Sequence, residues 1–560
     1  MAKQYSRREF LQTGLAGALA TTPLLAAACA PWYEFDLLLI GGLLYDGSGR
    51  DGMRSDLGVQ NGRITAIGDL RDRSAKHKLD VSGLAVAPGF IDFHSHSDEE
   101  LLLGGEAQSK IRQGVTTEIL GQDGDSLAPL NEKMRAELHA ELSKRFGLTV
   151  DWQDFTGYFR RLQAGGLISN AASMVGQGTL RQLVVGLEDR PATPEEIAQM
   201  QTLLRTALQQ GACGISSGLE YTPGSFASTE EIIALCRTAT GRTIYSTHMR
   251  NEDDTLLEAV AEAIRIAQEA GVALNISHIK ASGHQNWHKQ PEMLAMLAAA
   301  RQAGLRVTCD RYPYTAYATG LSSLFPLWAR AGGNEAFLQR LQDAETRAQL
   351  RPLVQYEADK IGGWQSVMIS SLPNHPRRRE YEGMNLAELA RSGADPFDLL
   401  VQFLLIEKGG GGMVGFAMPE EDTARLLADP YCMPASDGAA LAEQGVLHSG
   451  HPHPRSYGTF PRVLGKYVRE QGIMTLGEAV RKLTALPAQT LRLAERGMLK
   501  PGYWADVVAF DPQTVADRAT WSQPHQYPAG IPFVVVNGQL VIDREKFTGA
   551  LAGRVLRAPA

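Results

Sequence analysis

Apolar and polar positions follow different rhythms along the chain. From residue 35 to about 87, short alternating runs are punctuated by tight-turn pairs. Phe35-Asp36-Leu37-Leu38-Leu39-Ile40 and Arg63-Ile64-Thr65-Ala66-Ile67-Gly68 read as strands, with Asp46-Gly47 and Asn61-Gly62 as turns. The same texture returns near the end, in Ala505-Asp506-Val507-Val508-Ala509-Phe510 and Val534-Val535-Val536-Asn537-Gly538-Gln539-Leu540-Val541. Between 89 and 494, continuous apolar runs alternate with stretches of helical period. Strands are predicted at 90–94, 116–120, 171–175, 214–217, 243–247, 273–277, 307–309 and 432–436, with helices such as 229–238, 256–270 and 292–303 between them. Eight strands alternating with helices predict an α/β fold, a (β/α)8 TIM-type barrel over 89–494. The strand-rich ends, 34–88 and 495–560, predict one small β-sandwich domain assembled from both termini. An extra helical and polar segment at about 331–429, containing Gly409-Gly410-Gly411-Gly412, breaks the rhythm and reads as a lid or substrate-facing insertion.

Composition narrows the functional classes. A chain of 560 residues is too long for one core of usual size, consistent with a large catalytic unit plus a smaller one. The balance of 55 basic and 62 acidic residues, net −7, with no basic patch, argues against nucleic acid as a partner. The five cysteines have no Cys-x-x-Cys spacing, so neither a zinc knuckle nor a disulfide framework is expected, and Cys213, Cys236, Cys309 and Cys432 read as small buried apolar residues. Residues 1–30 read instead as an export segment. Ser6-Arg7-Arg8-Glu9-Phe10-Leu11 carries twin arginines, an alanine-rich apolar run follows, and Leu24-Leu25-Ala26-Ala27-Ala28-Cys29 is an imperfect lipobox. The segment resembles a twin-arginine signal, which implies a periplasmic protein or a lipoprotein touching the membrane only through a lipid on Cys29.

Candidate chemistry gathers at the predicted strand ends. His94 and His96 close the first strand, Asp123 follows the second, His248 ends the fifth, His278 ends the sixth and Asp437 follows the eighth. In a barrel all of these lie on the C-terminal face, where such folds place their sites. Alternation along a strand puts His94 and His96 on one face, with Phe93 and Ser95 on the other. Any one of these residues could be an ordinary buried histidine or turn aspartate; their common placement favours a site. Four imidazoles and two carboxylates suit one or two borderline divalent ions, zinc first. Such a site activates water and polarises a carbonyl, and Asp437 is placed to act as general acid/base.

In these residues the chain resembles the amidohydrolase superfamily and, within it, the D-aminoacylases or N-acyl-D-amino-acid deacylases. The carriers include Ala87-Pro88-Gly89-Phe90-Ile91-Asp92-Phe93-His94-Ser95-His96, Gly114-Val115-Thr116-Thr117, Thr247-His248-Met249-Arg250-Asn251-Glu252, Ser277-His278-Ile279-Lys280, Tyr312-Pro313-Tyr314, Ser436-Asp437-Gly438 and His451-Pro452-His453-Pro454-Arg455. The resemblance implies that His248 and His278 hold the tighter metal, that His94 and His96 face a second position, and that Asp437 is the catalytic acid/base. It also implies that Lys280, Tyr312 and Arg455 receive the α-carboxylate of a small acylated amino acid or peptide-like amide, with Tyr221 nearby.

One departure stands out. Where the best-known D-aminoacylases have a metal-bridging cysteine in a Gly-Asn-Cys-Gly turn, this chain has Gly121-Gln122-Asp123-Gly124, with Glu118 as a spare carboxylate. A carboxylate can bridge two metals, but it is a harder ligand than a thiolate. The competing readings are another amidohydrolase, such as a cyclic amidase or dipeptidase, and an exported metal- or amide-binding protein without turnover. Against the first stands the absence of a lysine in 171–175 or 214–217 for carboxylation; against the second stands Asp437.

Overall fold

The computed structural model describes residues 33–239, 241 and 243–558. The predicted export segment, residues 1–30 with Cys29, lies outside these residues. Among the described residues no helix is long and apolar enough to cross a membrane.

The two chain ends meet through a β-ladder. Val507–Phe510 pairs antiparallel with Ala85–Pro88, placing Phe510 opposite Ala85. That ladder continues through Phe533–Val536 and Gln539–Asp543. A second sheet sets Phe35–Ile40 between Asp56–Gln60 and Ala75–Asp80, with Arg63–Gly68 at its edge. Leu37, Leu39, Leu57, Val59 and Ile64 of this sheet pack on Leu44, Val86, Val507, Ala509 and Val535 of the other, so alternate positions of both sheets share one apolar layer. The Asn61-Gly62 turn works as its sequence suggests: both residues are left-handed, φ 54° and 77°, the twist that joins two antiparallel strands tightly.

Between the termini run parallel strands Phe90–Asp92, Val115–Leu120, Asn170–Ser173 with Val175–Gly176, Gly214–Gly218, Ile244–His248, Ala273–Ile276, Val307–Arg311 and Cys432–Pro434. They form a three-stranded and a six-stranded sheet, separated by a break at Met174. Backbone bonds from Met174 N to Leu120 O and from Cys213 N to Ser173 O, both 2.9 Å, run beside the break. At the far side Asp437 N donates to His94 O (2.9 Å) and His96 N to Gly438 O (3.1 Å), joining the ends of the first and last strands. Ile91, Phe93, Ile119, Met174, Ile244 and Met433 share one apolar cluster, while a larger one lies under the helices.

The helices start and stop where local chemistry directs. Thr229–Thr238 begins after Ser228, whose hydroxyl accepts from Glu231 N (3.1 Å). Leu256–Ala270 ends at Gly271, left-handed at φ 69°. Cys213, Cys236, Cys309 and Cys432 are buried free thiols.

The insertion is an antiparallel sheet of Ala316–Gly320, Gly412–Phe416 and Val367–Ser371, with helices Gly333–Gln342, Ala344–Lys360 and Pro396–Ile406. Phe325, Phe337, Leu350, Leu400 and Phe403 give it a core of its own. It begins earlier than the 331 expected, because Ala316–Gly320 is a short, mostly half-buried strand without an apolar run. It also ends before 429: helix Glu420–Ala428 sends Leu426 into the main core.

Phe90 sits where these parts join, fully buried, stacked on Phe460 (5.8 Å between ring centres) and beside Phe510 (6.1 Å). Phe90→Ala is expected to cost about 3–5 kcal/mol of unfolding free energy, read from the denaturant midpoint.

Candidate active site

Backbone geometry aims the candidate ligands. Gly121 and Gly124 flank Asp123 in a turn where all three have positive φ (69°, 80° and 53°). A Cβ on Gly121 would lie 2.1 Å from Met174 O, and one on Gly124 2.5 Å from Gly218 N, so the turn is pressed against the two following strands and accepts only glycine at those positions. His278 and Asp437 are left-handed as well, at φ 34° and 50°. Each such non-glycine residue costs about 1–2 kcal/mol, and that cost recurs at three candidate ligands. The backbone N–H of His278 is held by Asp310 Oδ1 at 2.8 Å.

The side chains converge on one oxygen. Asp123 Oδ2 lies 3.4 Å from His94 Nε2, 3.5 Å from His96 Nε2, 3.3 Å from His278 Nε2 and 3.9 Å from His248 Nδ1. Asp437 Oδ1 is 3.1 Å from His96 Nε2 and 3.6 Å from His94 Nε2. His94 Nε2 and His96 Nε2 are 3.3 Å apart, and His248 Nδ1 and His278 Nε2 are 2.9 Å apart. Two imidazole lone pairs cannot face each other at such distances unless a proton or cation lies between them. Three candidate donor groups result among the described residues: Glu220, His248 and Glu252; His94, His96, Asp123 and Asp437; and Asp123, His248 and His278, the last two sharing Asp123. Its second oxygen, Oδ1, is buried without a hydrogen-bond partner among the described residues. Nitrogen and carboxylate donors so arranged fit a borderline divalent ion.

The electrostatics agree with cation binding. Burial alone would lower the pKa of His94, but Asp123, Asp310 and Asp437 outweigh it and hold the imidazole well above its ordinary range. The same opposition, with Asp123 and Asp437 prevailing over burial, brings His96 to about 9. Burial would raise Asp123 and Asp437, yet His94 and His278 hold Asp123 far below the carboxylate range, and Arg455, His278 and His94 do so for Asp437. The cluster stabilises positive charge, supplied by protons or by a divalent ion.

A profile of the amidohydrolase family matches residues 448–542. A D-aminoacylase from Alcaligenes xylosoxydans xylosoxydans is 41% identical over 531 residues, 94% of this chain and 98% of that protein. The chain belongs to the D-aminoacylase family of amidohydrolases. Among solved structures, an N-acyl-D-glutamate deacylase from Bordetella bronchiseptica, complexed with zinc and a phosphonate mimic of the tetrahedral intermediate, superposes with a TM-score of 0.78 at 36% identity, covering 94% of this chain and all of that one. A D-aminoacylase described by its binuclear metal centre gives 0.77 at 38% identity, covering 93% and 100%.

In this D-aminoacylase-family chain a cavity of about 770 Å³ opens onto His96, His248 and His278, and Lys280, Tyr312, Arg455 and Tyr221 all line it. Lys280 Nζ is paired with Glu252 and lies 2.9 Å from His278 Nδ1. Arg455 Nη1 donates to Asp437 Oδ2 at 2.6 Å. The buried Tyr312 hydroxyl has no partner among the described residues, while the Arg455 guanidinium lies 5.0 Å from its ring centre. Tyr221 packs 4.7 Å from the His248 ring.

Sequence reasoning left three carboxylates unassigned. Glu252 Oε1 lies 2.9 Å from His278 Nδ1, Glu220 Oε2 lies 3.2 Å from His248 Nε2, and Asp310 Oδ1 lies 3.2 Å from His94 Nδ1. Each lies near the outer nitrogen of a candidate ligand, and the Glu220–His248 contact is a hydrogen bond of the kind that orients a metal-binding histidine, whereas His94 Nδ1 and Glu252 Oε1 make no hydrogen bond among the described residues. Glu252 stands four residues after His248 in Thr247-His248-Met249-Arg250-Asn251-Glu252, and Asp310 follows the apolar strand run 307–309. Glu118 turns away from the site: it is buried and accepts from Ser95, Ser97 and Ser169 at 2.7–2.9 Å. His77, His139, His375 and His525 join none of these donor groups.

A ligand that binds only the folded state raises its melting temperature. Zinc added to chelator-stripped protein is expected to raise Tm by several degrees. In Asp123→Ala the rise should largely vanish and bound metal, by elemental analysis, should fall by more than half.

Proposed function

We propose that this chain is a zinc-dependent hydrolase that deacylates N-acyl-D-amino acids. The observation that carries the reading is the shared Asp123 carboxylate between two histidine pairs, with Asp437 in hydrogen-bond reach of His96 and the cavity walled by Lys280, Tyr312 and Arg455. Whole-length identity to a D-aminoacylase supports it. In this reading the eight parallel strands are one closed (β/α)8 barrel of about 89–494, supported by the backbone bonds that join the ends of the first and last strands.

His248, His278 and Asp123 would hold one ion, and His94 and His96 would offer a second position beside Asp123. A bound divalent ion supplies Lewis acidity toward the amide carbonyl and lowers the pKa of water. The substrate's α-carboxylate is received by Lys280 Nζ, the Tyr312 hydroxyl and the Arg455 guanidinium. Lys280 keeps Glu252 as its buried partner, so it enters the clamp already charged; burial would lower its pKa, and Glu252 raises it. Asp437 is ionised, because Arg455 and the neighbouring histidines outweigh its burial. It takes a proton from the attacking water at Oδ1, which faces His96, while Oδ2 stays on Arg455. The same carboxyl then returns the proton to the leaving nitrogen, giving a carboxylic acid and a free D-amino acid. The twin-arginine-type leader supports a periplasmic or lipid-anchored location, with Cys29 as the anchor.

Purified protein with stoichiometric zinc is expected to release amine from N-acetyl-D-amino acids far faster than from the L-enantiomers. No release from any acylated amino acid by metal-replete protein would refute the reading. Asp437→Asn is expected to keep fold and metal and to lower kcat by about 10²–10⁴-fold.

A further inference from the structure

Behind the histidines lies a buried ion pair that the chemistry above does not use. Lys110, on helix Gln108–Ile111, and Asp92, at the end of the first barrel strand, are both fully buried. Lys110 Nζ donates to Asp92 Oδ2 (2.5 Å), to Gly438 O (2.7 Å) and to Ser436 Oγ, and lies 3.4 Å from Ser95 Oγ. Asp92 accepts from Ser436 N through Oδ1 (2.9 Å) and from Ser436 Oγ through Oδ2 (2.6 Å). The Ser436 hydroxyl accepts from Gly438 N at 3.1 Å.

We propose that Lys110, acting with Asp92 and Ser436, is the positioning residue that holds Asp437 in its reactive orientation. Its contacts bracket Asp437: Ser436 on one side, Gly438 on the other, and the strand leading to His94 and His96 beneath. Asp437 has a left-handed backbone, φ 50°, which persists only where neighbours over-determine it. Stability does not explain the pair, because apolar side chains of similar volume usually stabilise an interior as well as a buried ion pair does. Direction does explain it: an ammonium with several short contacts fixes both peptide ends of a one-residue turn. The inference rests on the role given to Asp437 above.

The test uses the metal-loaded full chain and two variants, Ser436→Ala and the double Asp92→Asn with Lys110→Met, which leaves no unpaired buried charge. A misplacement of about 1 Å costs on the order of 10²-fold in rate. Expected are a fall in kcat of about tenfold for Ser436→Ala and about 10²-fold for the double variant, with KM within about threefold and bound zinc unchanged. A crystal structure of Ser436→Ala should show the Asp437 carboxylate withdrawn from His96. Unchanged kcat with Asp437 in place would overturn the proposal, as would zinc loss with kcat and KM falling together, the behaviour of a mere staple. If the double variant does not fold, Ser436→Ala decides alone. Absence of turnover in the unmodified protein would instead refute the deacylase reading, and the position of Asp437 in Ser436→Ala would still decide this one.

Discussion

Nitrogens of four histidines, carried on three strand ends, stand within 3.9 Å of a single carboxylate oxygen, Oδ2 of Asp123. This placement depends on a turn that hardly any other sequence would tolerate. Gly121 and Gly124 bring their backbone against the third and fourth strands, and Asp123 between them adopts a left-handed conformation. A side chain added at either glycine would push the turn outward and separate the two histidine pairs. Ile119, on the strand before the turn, and Met174, against which the turn is pressed, belong to one apolar cluster with Ile91 and Met433.

Around this centre the charges are arranged in layers. Asp310, Glu220 and Glu252 face the outer histidine nitrogens, Lys280 and Arg455 balance the carboxylates on the cavity side, and Lys110 neutralises Asp92 behind. Each of these charges has an opposite charge or an imidazole in contact, which a low-dielectric interior favours. Lys280 and Arg455 differ from ordinary binding groups because each already holds a carboxylate. In the proposed reaction a substrate carboxylate would join an existing charge network, in which Arg455 already contacts Asp437.

Much of the fold was legible because period and punctuation agreed. Helices 229–238 and 256–270 matched their capping and stop residues, and the strand ends carrying His94, Asp123, His248, His278 and Asp437 could be located from apolar runs closing in polar residues. The insertion boundary was not legible: Ala316–Gly320 lacks a continuous apolar run. The break at Met174 also left no trace, since the surrounding run is uniformly buried. Glu220, Glu252 and Asp310 escaped because a carboxylate that orients a histidine has no spacing rule of its own; only the folded neighbourhood distinguishes it. Lys110 was hidden for the same reason, its partners lying up to 328 residues away in sequence.

The proposed site turns on Asp123 serving both histidine pairs. Anomalous scattering at the zinc edge from crystals of zinc-loaded protein measures this directly. The expected result is a peak within about 2.0–2.2 Å of an Asp123 oxygen and of His248 and His278 nitrogens. A metal peak held by Glu220, His248 and Glu252, with Asp123 unliganded, would contradict it.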